Sequence, residues 1–210
     1  VIVDADTGYG DAAAIEKNIC HLEAAGAAAI QIEDQVLERR CGHLNGKQVI
    51  PESEMAEKIH AACEGRQSDN TVIIARTDVR GVGSMKDCLS RIEAYHNAGA
   101  DWIFPEALQS QDEFSEAGAL LKELQSTGLA NMTEFGRGPL LSRETLGAMG
   151  FAAVLYPVTL LRLAMKAIEV GLEVLGDEGS QETLLDLMQT REELYELLDY
   201  DPTLGNKKNP

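Results

Sequence analysis

Six short apolar runs, each ending in polar residues and each followed by helical sequence, constrain this chain more than any other feature. They are Val1-Ile2-Val3 into Asp4-Ala5-Asp6, Ala29-Ile30-Gln31-Ile32 into Glu33-Asp34, and Val72-Ile73-Ile74-Ala75 into Arg76-Thr77-Asp78. Trp102-Ile103-Phe104-Pro105 into Glu106, Leu129-Ala130 into Asn131-Met132-Thr133-Glu134, and Ala153-Val154-Leu155 into Tyr156 complete the set. Strands buried on both faces read as continuous apolar runs. Their alternation with helical stretches implies βα units and a parallel sheet. The expected fold is therefore α/β, a (β/α)8 TIM-type barrel, in which chemistry sits at the C-terminal ends of the strands. Such a barrel needs eight strands, and six are countable, so the first one or two βα units are expected to be absent from this chain. A sheet closed from these six strands alone would contradict that expectation.

Local punctuation supports the βα reading. Helix ends run through Gly into the next strand at Ala25-Gly26-Ala27, Ala98-Gly99-Ala100 and Met149-Gly150-Phe151, with Thr127-Gly128-Leu129 as a looser copy. Gly is favoured just past a helix end because it accepts a left-handed backbone. Ser84 with Asp87 resembles a capping pair, Ser142 precedes Arg143-Glu144, and Pro51-Glu52-Ser53-Glu54 suits a first helical turn. The connection from Val36 to Pro51 is long for a βα loop, and loops of that length are uncommon unless functional. Beyond Gly176 the pattern turns to polar helices. Residues 181–200 read as helical, with Met188, Leu194 and Leu197 on an apolar side. The expected domains are a barrel over 1–176 and a C-terminal helical segment and tail over 177–210.

A net charge of −17 over 210 residues argues against nucleic acid and against anionic membrane surfaces as partners. It leaves room for a small anionic substrate, because a pocket can be locally basic or hold a metal ion. No apolar stretch reaches membrane-spanning length, and no signal-peptide pattern is visible. Cys20, Cys41, Cys63 and Cys88 form no CxxC pair. Cys20, Cys63 and Cys88 fall in helical stretches, where a free Cys packs as a small hydrophobe. That usage fits a reducing compartment.

Asp4 and Asp6 stand two apart at a strand end, which places their side chains on one face. Glu33 ends the next run. Three carboxylates on one rim without His neighbours suit a hard cation such as Mg²⁺. The alternative is a set of solvated strand-end acids that cap neighbouring helices. The long loop carries Arg39-Arg40-Cys41-Gly42-His43. A Cys flanked by arginines and near a His favours its thiolate, as a nucleophile or a proton donor. The alternatives are half a zinc site, for which no second ligand pair follows, and an inert loop Cys. Arg76, Glu106, Asn131 and Thr133 end strands, and Arg162 and Arg191 lie in later helical stretches. Arginines bind carboxylates through paired hydrogen bonds, or they serve as salt-bridged rim residues. No Walker loop or strand-GxGxxG-helix unit is present, so nothing points to a nucleotide cofactor.

Together these motifs resemble the isocitrate lyase and phosphoenolpyruvate mutase superfamily. The match runs through Asp4-Ala5-Asp6-Thr7-Gly8-Tyr9-Gly10, Ile32-Glu33-Asp34-Gln35, Arg40-Cys41-Gly42-His43 and Ala75-Arg76-Thr77-Asp78. It continues in the same order through Phe104-Pro105-Glu106-Ala107 and Asn131-Met132-Thr133-Glu134-Phe135-Gly136. Met188-Gln189-Thr190-Arg191 followed by Glu193-Leu194-Tyr195 is most similar to the 2-methylisocitrate lyase branch. The resemblance implies a Mg²⁺-dependent carbon–carbon lyase, with Mn²⁺ as an alternative metal. The substrate would be a 2-hydroxy di- or tricarboxylate such as 2-methylisocitrate, cleaved to a 2-oxo acid (pyruvate or glyoxylate) and succinate. It implies Asp4, Asp6 and Glu33 around the metal, and Cys41 as proton donor with Arg39 and His43 as catalytic neighbours. Cys41, Gly42, Arg76, Glu106, Asn131, Met132, Thr133, Arg162 and Arg191 take the substrate-binding positions. It also implies strands 3–8 of the family barrel and a homotetramer with exchanged C-terminal helices. The location would be cytoplasmic, or the mitochondrial matrix in a eukaryote.

The chain departs from the family pattern in three places. Family lyases carry Lys two residues before the Cys, where this chain has Arg39, and Arg cannot readily give up a proton. The usual Thr-Pro after the Glu-Phe-Gly segment is Gly138-Pro139, which removes a hydroxyl. A Ser-Gly substrate motif of the N-terminal strands is absent. Oxaloacetate hydrolases and phosphonate C–P bond enzymes of the same superfamily, and a catalytically impaired barrel, are the alternative readings.

Overall fold

A computed structural model describes residues 1–37 and 46–201. Within it the chain divides into two compact units, Val1–Val158 and Thr159–Pro210. The first unit is a six-stranded, all-parallel sheet in sequential order. Its strands are β1 (Ile2–Asp4), β2 (Ala29–Glu33), β3 (Val72–Thr77), β4 (Trp102–Pro105), β5 (Thr127–Asn131) and β6 (Phe151–Leu155). The helices between them are α1 (Ala12–Ala24), α2 (Glu52–Gly65), α3 (Met85–Asn97), α4 (Gln111–Glu123) and α5 (Arg143–Met149). Among the described residues β1 and β6 do not pair with each other, so the six strands make an open, curled sheet rather than a closed one.

Strand alternation sorts the sheet into two faces. Ile30, Ile32, Ile73, Ala75 and Ile103 join a core shared with the helices. The helices meet it at helical spacing, with Ile15 and Ile19 from α1, Met55, Ile59 and Ala62 from α2, and Phe114, Ala117 and Leu121 from α4. The opposite face holds a second, smaller cluster of Ala29, Ile74, Phe104 and Leu129. At the C-terminal ends of the strands that face changes character. Glu33 pairs in register with Arg76, and Arg76 with Phe104, whose ring lies 5.1 Å beneath the guanidinium carbon. The same parity that packs Ala29 and Ile74 into the inner cluster therefore aims Glu33 and Arg76 at one shared space.

The punctuation is largely as expected. Ser84 and Asp87 form a complete capping box on α3, Ser142 caps α5, and Gly26, Gly99 and Gly150 have φ of +99°, +106° and +120°. The looser copy differs. Gly128 lies inside β5, and the left-handed residue after α4 is Gln125, at φ +55°. A Cβ on Gly128 would come within 2.6 Å of Leu121, so close packing accounts for this Gly.

The second unit begins with α6 (Thr159–Glu178), which continues through Gly176 without a break. The contact boundary thus falls at Val158, ahead of the change in composition at Gly176. A 3₁₀ segment (Glu182–Leu187) and a short α7 (Arg191–Leu197) follow, so 181–200 is two pieces and not one helix. No residue of α6 is buried; Leu160, Leu163, Met165, Ile168 and Leu172 are exposed. Met188, Leu194 and Leu197 are exposed as well. No described helix is long and apolar enough to cross a membrane.

Cys88 packs in the core as expected for a helical Cys, and burial pushes its thiol up to about 12. A thiol-selective reagent at pH 8 is expected to leave Cys88 unmodified in the native protein and to label it only on unfolding, as read by peptide mass spectrometry. Labelling at the native rate of an exposed thiol would contradict this packing.

Candidate active site at the strand ends

The C-terminal ends of β2 to β5 bring together five of the residues expected there. Glu33 is fully buried, and its Oε2 lies 3.4 Å from Arg76 Nε. Arg76 Nη2 lies 3.9 Å from Glu106 Oε2. That same carboxylate oxygen accepts a hydrogen bond from Asn131 Nδ2 at 3.1 Å, and Thr133 Oγ1 donates to Asn131 Oδ1 at 2.7 Å. A continuous polar chain therefore crosses four strands. Beside it lies a cavity of about 20 Å³ bordered by Glu106, Leu108, Phe114, Asn131, Thr133 and Gly138. A Cβ at Gly138 would approach the Leu108 carbonyl oxygen to 2.5 Å, so this backbone admits no hydroxyl-bearing residue there.

Two further residues complete the group, and sequence reasoning passed over both as site residues. Asp78 accepts from Arg76 Nε at 2.9 Å and Nη2 at 3.1 Å, a two-point pairing. Lys47 donates to Asp78 Oδ1 at 3.0 Å, and the side chains of this pair are 1% and 0% exposed. Burial works against the charge on Arg76, but Asp78, Glu106 and Glu33 outweigh it and hold the guanidinium protonated. Burial likewise pushes the Asp78 carboxyl up, yet Arg76 and then Lys47 hold it below its ordinary value of 3.8. The signal for Asp78 was its spacing, two residues after Arg76. Lys47 carried no comparable signal.

Asp34 is the clamp beneath this group. One carboxylate accepts from Thr77 Oγ1 at 2.6 Å, the Asp78 amide at 2.8 Å, Arg91 Nη1 at 2.7 Å and Tyr95 OH at 2.8 Å. Arg91 also donates to the Ile50 carbonyl. The ends of β2 and β3, the helix α3 and the start of α2 are thereby tied to a single side chain. The flanks of the long connection are pinned close by. Gln35 pairs with Val49, the Val36 amide donates to the Gln48 carbonyl, and the Ile50 amide to the Asp34 carbonyl. The expected residues Arg39, Cys41, Gly42 and His43 lie between those flanks, outside the described residues.

The acids of β1 are arranged differently from the expectation. Alternation stops at Asp4, because Asp6 takes a left-handed backbone at φ +53°. The Asp6 amide closes on Asp4 Oδ1 at 3.0 Å, and the Asp6 carbonyl accepts from the Glu33 amide at 2.7 Å. A turn, and not strand pleat, thus sets the relation of the two carboxylates. Among the described residues no three His, Cys, Asp or Glu side chains gather closely enough to hold a metal ion together. Glu33 stands with Arg76. A pair of aspartates nonetheless fits a Mg²⁺ site, because Mg²⁺ takes one or two carboxylates and keeps several waters. Asp4 is solvent-exposed and accessible to such an ion.

The Met132 side chain packs in the helix-side core, where its sulfur accepts from the Leu141 amide, so only its backbone faces the site residues on either side. Arg162 and Arg191 belong to the second unit, where both are exposed.

The sign of the Asp78 shift makes a prediction. A carboxyl whose folded pKa lies below its unfolded value adds stability above the unfolded value, here about 3.8, and loses it as pH falls through the folded value. Urea titrations from pH 7 to pH 3 are expected to show that loss. Asp78→Asn should cost about 3–5 kcal/mol at pH 7, because it strands buried cations, and should flatten the acid limb. An acid limb as steep as in the unsubstituted protein would contradict the assignment.

Comparison with known proteins agrees with this architecture. The phosphoenolpyruvate phosphomutase family profile matches residues 1–175. A 2-methylisocitrate lyase of Aeropyrum pernix is 46% identical over 200 residues, covering 95% of this chain and 63% of that protein. A 2-methylisocitrate lyase of Halalkalibacterium halodurans is 44% identical over 209 residues, covering 100% of this chain and 68% of that protein. The chain thus spans about two thirds of the length of these relatives. The crystal structure of a 2,3-dimethylmalate lyase superposes with a TM-score of 0.81 at 35% identity, covering 95% of this chain and 66% of that one. An oxaloacetate acetylhydrolase bound to 3,3-difluorooxalacetate superposes with a TM-score of 0.81 at 32% identity, covering 99% and 71%. A phosphonopyruvate hydrolase complex with oxalate and Mg²⁺ gives a TM-score of 0.76 at 26% identity, covering 94% and 68%. Parallel strands in sequential order, polar residues gathered at their C-terminal ends and these matches along nearly the whole chain establish that it belongs to the phosphoenolpyruvate mutase/isocitrate lyase superfamily.

Proposed function

We propose that this protein is a Mg²⁺-dependent carbon–carbon lyase that cleaves 2-methylisocitrate, or a related 2-hydroxy di- or tricarboxylate, into a 2-oxo acid and succinate. One observation carries the reading. A guanidinium held charged by carboxylates sits at the strand ends beside a Glu106–Asn131–Thr133 chain, in a sequence 46% identical to a 2-methylisocitrate lyase.

In this reading Arg76 binds a substrate carboxylate, and Asn131 and Thr133 orient its polar groups. Glu106 holds the Asn131 amide in register. Gly42, the Met132 backbone, Arg162 and Arg191 are the further contacts. The substrate's hydroxyl gives up its proton to solvent, its oxygen's electron pair forms the carbonyl, and the carbon–carbon bond breaks with its electron pair staying on the succinate fragment. Cys41 delivers a proton to that fragment, with His43 and Arg39 tuning the thiol. Asp4 and Asp6 would hold the metal, directly or through water, with Glu33 nearby. When bound, the ion supplies Lewis acidity to the oxygens that become the 2-oxo acid.

The full fold in this reading is a (β/α)8 barrel to which this chain contributes six βα units. Residues 1–176 belong to the barrel and 177–210 to a C-terminal arm. The exposed apolar side chains of α6 suit burial in a homotetramer that exchanges such arms, and the location is cytoplasmic. A second reading, oxaloacetate hydrolysis, is favoured by the equal TM-score of the oxaloacetate acetylhydrolase.

The test is release of a 2-oxo acid from 2-methylisocitrate by the intact protein with Mg²⁺, abolished by chelation and restored by the metal. Turnover of oxaloacetate alone would select the second reading, and no turnover of either acid by folded protein would overturn both. Cys41→Ser is expected to remove most cleavage while leaving Mg²⁺ binding unchanged by calorimetry. Undiminished turnover would take Cys41 out of the mechanism.

A further inference from the structure

We propose that Lys47 is a positioning residue: by sharing the Asp78 carboxylate with Arg76, it keeps the guanidinium turned toward Glu33 and Glu106 and able to accept an anionic substrate. The inference rests on the lyase reading for its substrate, but its geometry stands independently.

Among the described residues three carboxylates face Arg76, at 2.9 Å for Asp78, 3.4 Å for Glu33 and 3.9 Å for Glu106. Asp78 is the nearest, and Lys47 competes with Arg76 for it. Its ammonium donates a hydrogen bond to Asp78 Oδ1, the same oxygen that accepts from Arg76 Nη2. Each cation therefore neutralises part of one carboxylate, and less of the Arg76 charge is consumed by Asp78.

The fold makes specific room for this ammonium. The 3₁₀ turn after β3 (Val79–Gly81) carries Gly81 over Lys47, and a Cβ there would lie 2.5 Å from Nζ and 2.8 Å from Cε. Asp78 is fixed from below, since its amide donates to Asp34 Oδ1. The Asp78 main chain is thus held in place, and its carboxylate meets both cations from that fixed position. Lys47 itself lies in the connection that links β2 to α2, and its neighbours Gln48 and Val49 are paired to Val36 and Gln35. Its stem is therefore anchored by main chain at the same end of the sheet.

A structural ion pair alone would stabilise the fold without altering substrate affinity, and that difference is measurable. In the intact, Mg²⁺-loaded protein, Lys47→Met is expected to raise the KM for 2-methylisocitrate on the order of tenfold to a hundredfold, with a smaller change in kcat. Lys47→Arg should recover most of the loss. Asp78→Asn in the Lys47→Met background should add less than the two single effects together, because the charge being shared is gone. Gly81→Ala keeps every charge and crowds the ammonium, so it should raise KM in the same direction and by less. An unchanged KM in folded Lys47→Met or Gly81→Ala protein, or strictly additive effects, would overturn the proposal. Should the unsubstituted protein turn over none of the acids, the lyase reading fails separately. A crystal structure of either variant still decides the inference: Arg76 withdrawn from Glu33 and Glu106 onto Asp78 supports it, and Arg76 unmoved refutes it.

Discussion

Everything at the strand ends depends on the two-point pairing of Arg76 with Asp78. Bringing a guanidinium and several carboxylates out of water costs several kcal/mol for each ion unless geometry and hydrogen bonds compensate. Here the compensation is mutual. Asp78 holds Arg76 through both Nε and Nη2, Lys47 neutralises the shared oxygen, and Asp34 fixes the Asp78 amide. Remove the pairing and Arg76 loses the acceptor that fixes both Nε and Nη2.

The Asp34 cluster shows how such a group is kept rigid. Its four donors come from β3, the turn after it and α3, all at least 43 residues from Asp34 in sequence. Buried polar networks of this kind are stabilising only when every member is satisfied. Tyr95 and Arg91 satisfy each other as well as Asp34, at 2.7 Å. The helix-facing side of the sheet is apolar and supplies stability. The opposite side gathers charged and polar residues at the strand ends, and the same parity of each strand serves apolar packing at one end and charge at the other.

Much of this was legible from residues alone. All six apolar runs are strands, in the expected order, because continuous Ile, Val and Ala sequence between helices has few other stable uses. Glu33, Arg76, Glu106, Asn131 and Thr133 were legible because strand ends and strand parity project them together. Asp6 was misread because parity holds only while the backbone stays extended, and a left-handed residue ends it. Gly128 was misread because a strand Gly packed against Leu121 looks, in sequence, like a helix terminator. Met132 was grouped with its neighbours although alternation turns its side chain into the core. The C-terminal helical stretch was drawn as one piece where a 3₁₀ turn and a short helix stand.

The sequence alone determined a parallel α/β architecture, its strand order, the helix caps and the residue types presented at the strand ends, since these follow from local periodicity and backbone preference. Only the tertiary structure decided which charges share a carboxylate. Lys47 and Asp78 are 31 residues apart and Asp34 and Tyr95 are 61 apart. No local pattern encodes those distances. They arise because the curled sheet brings successive strand ends side by side, where burial makes each charge find a partner.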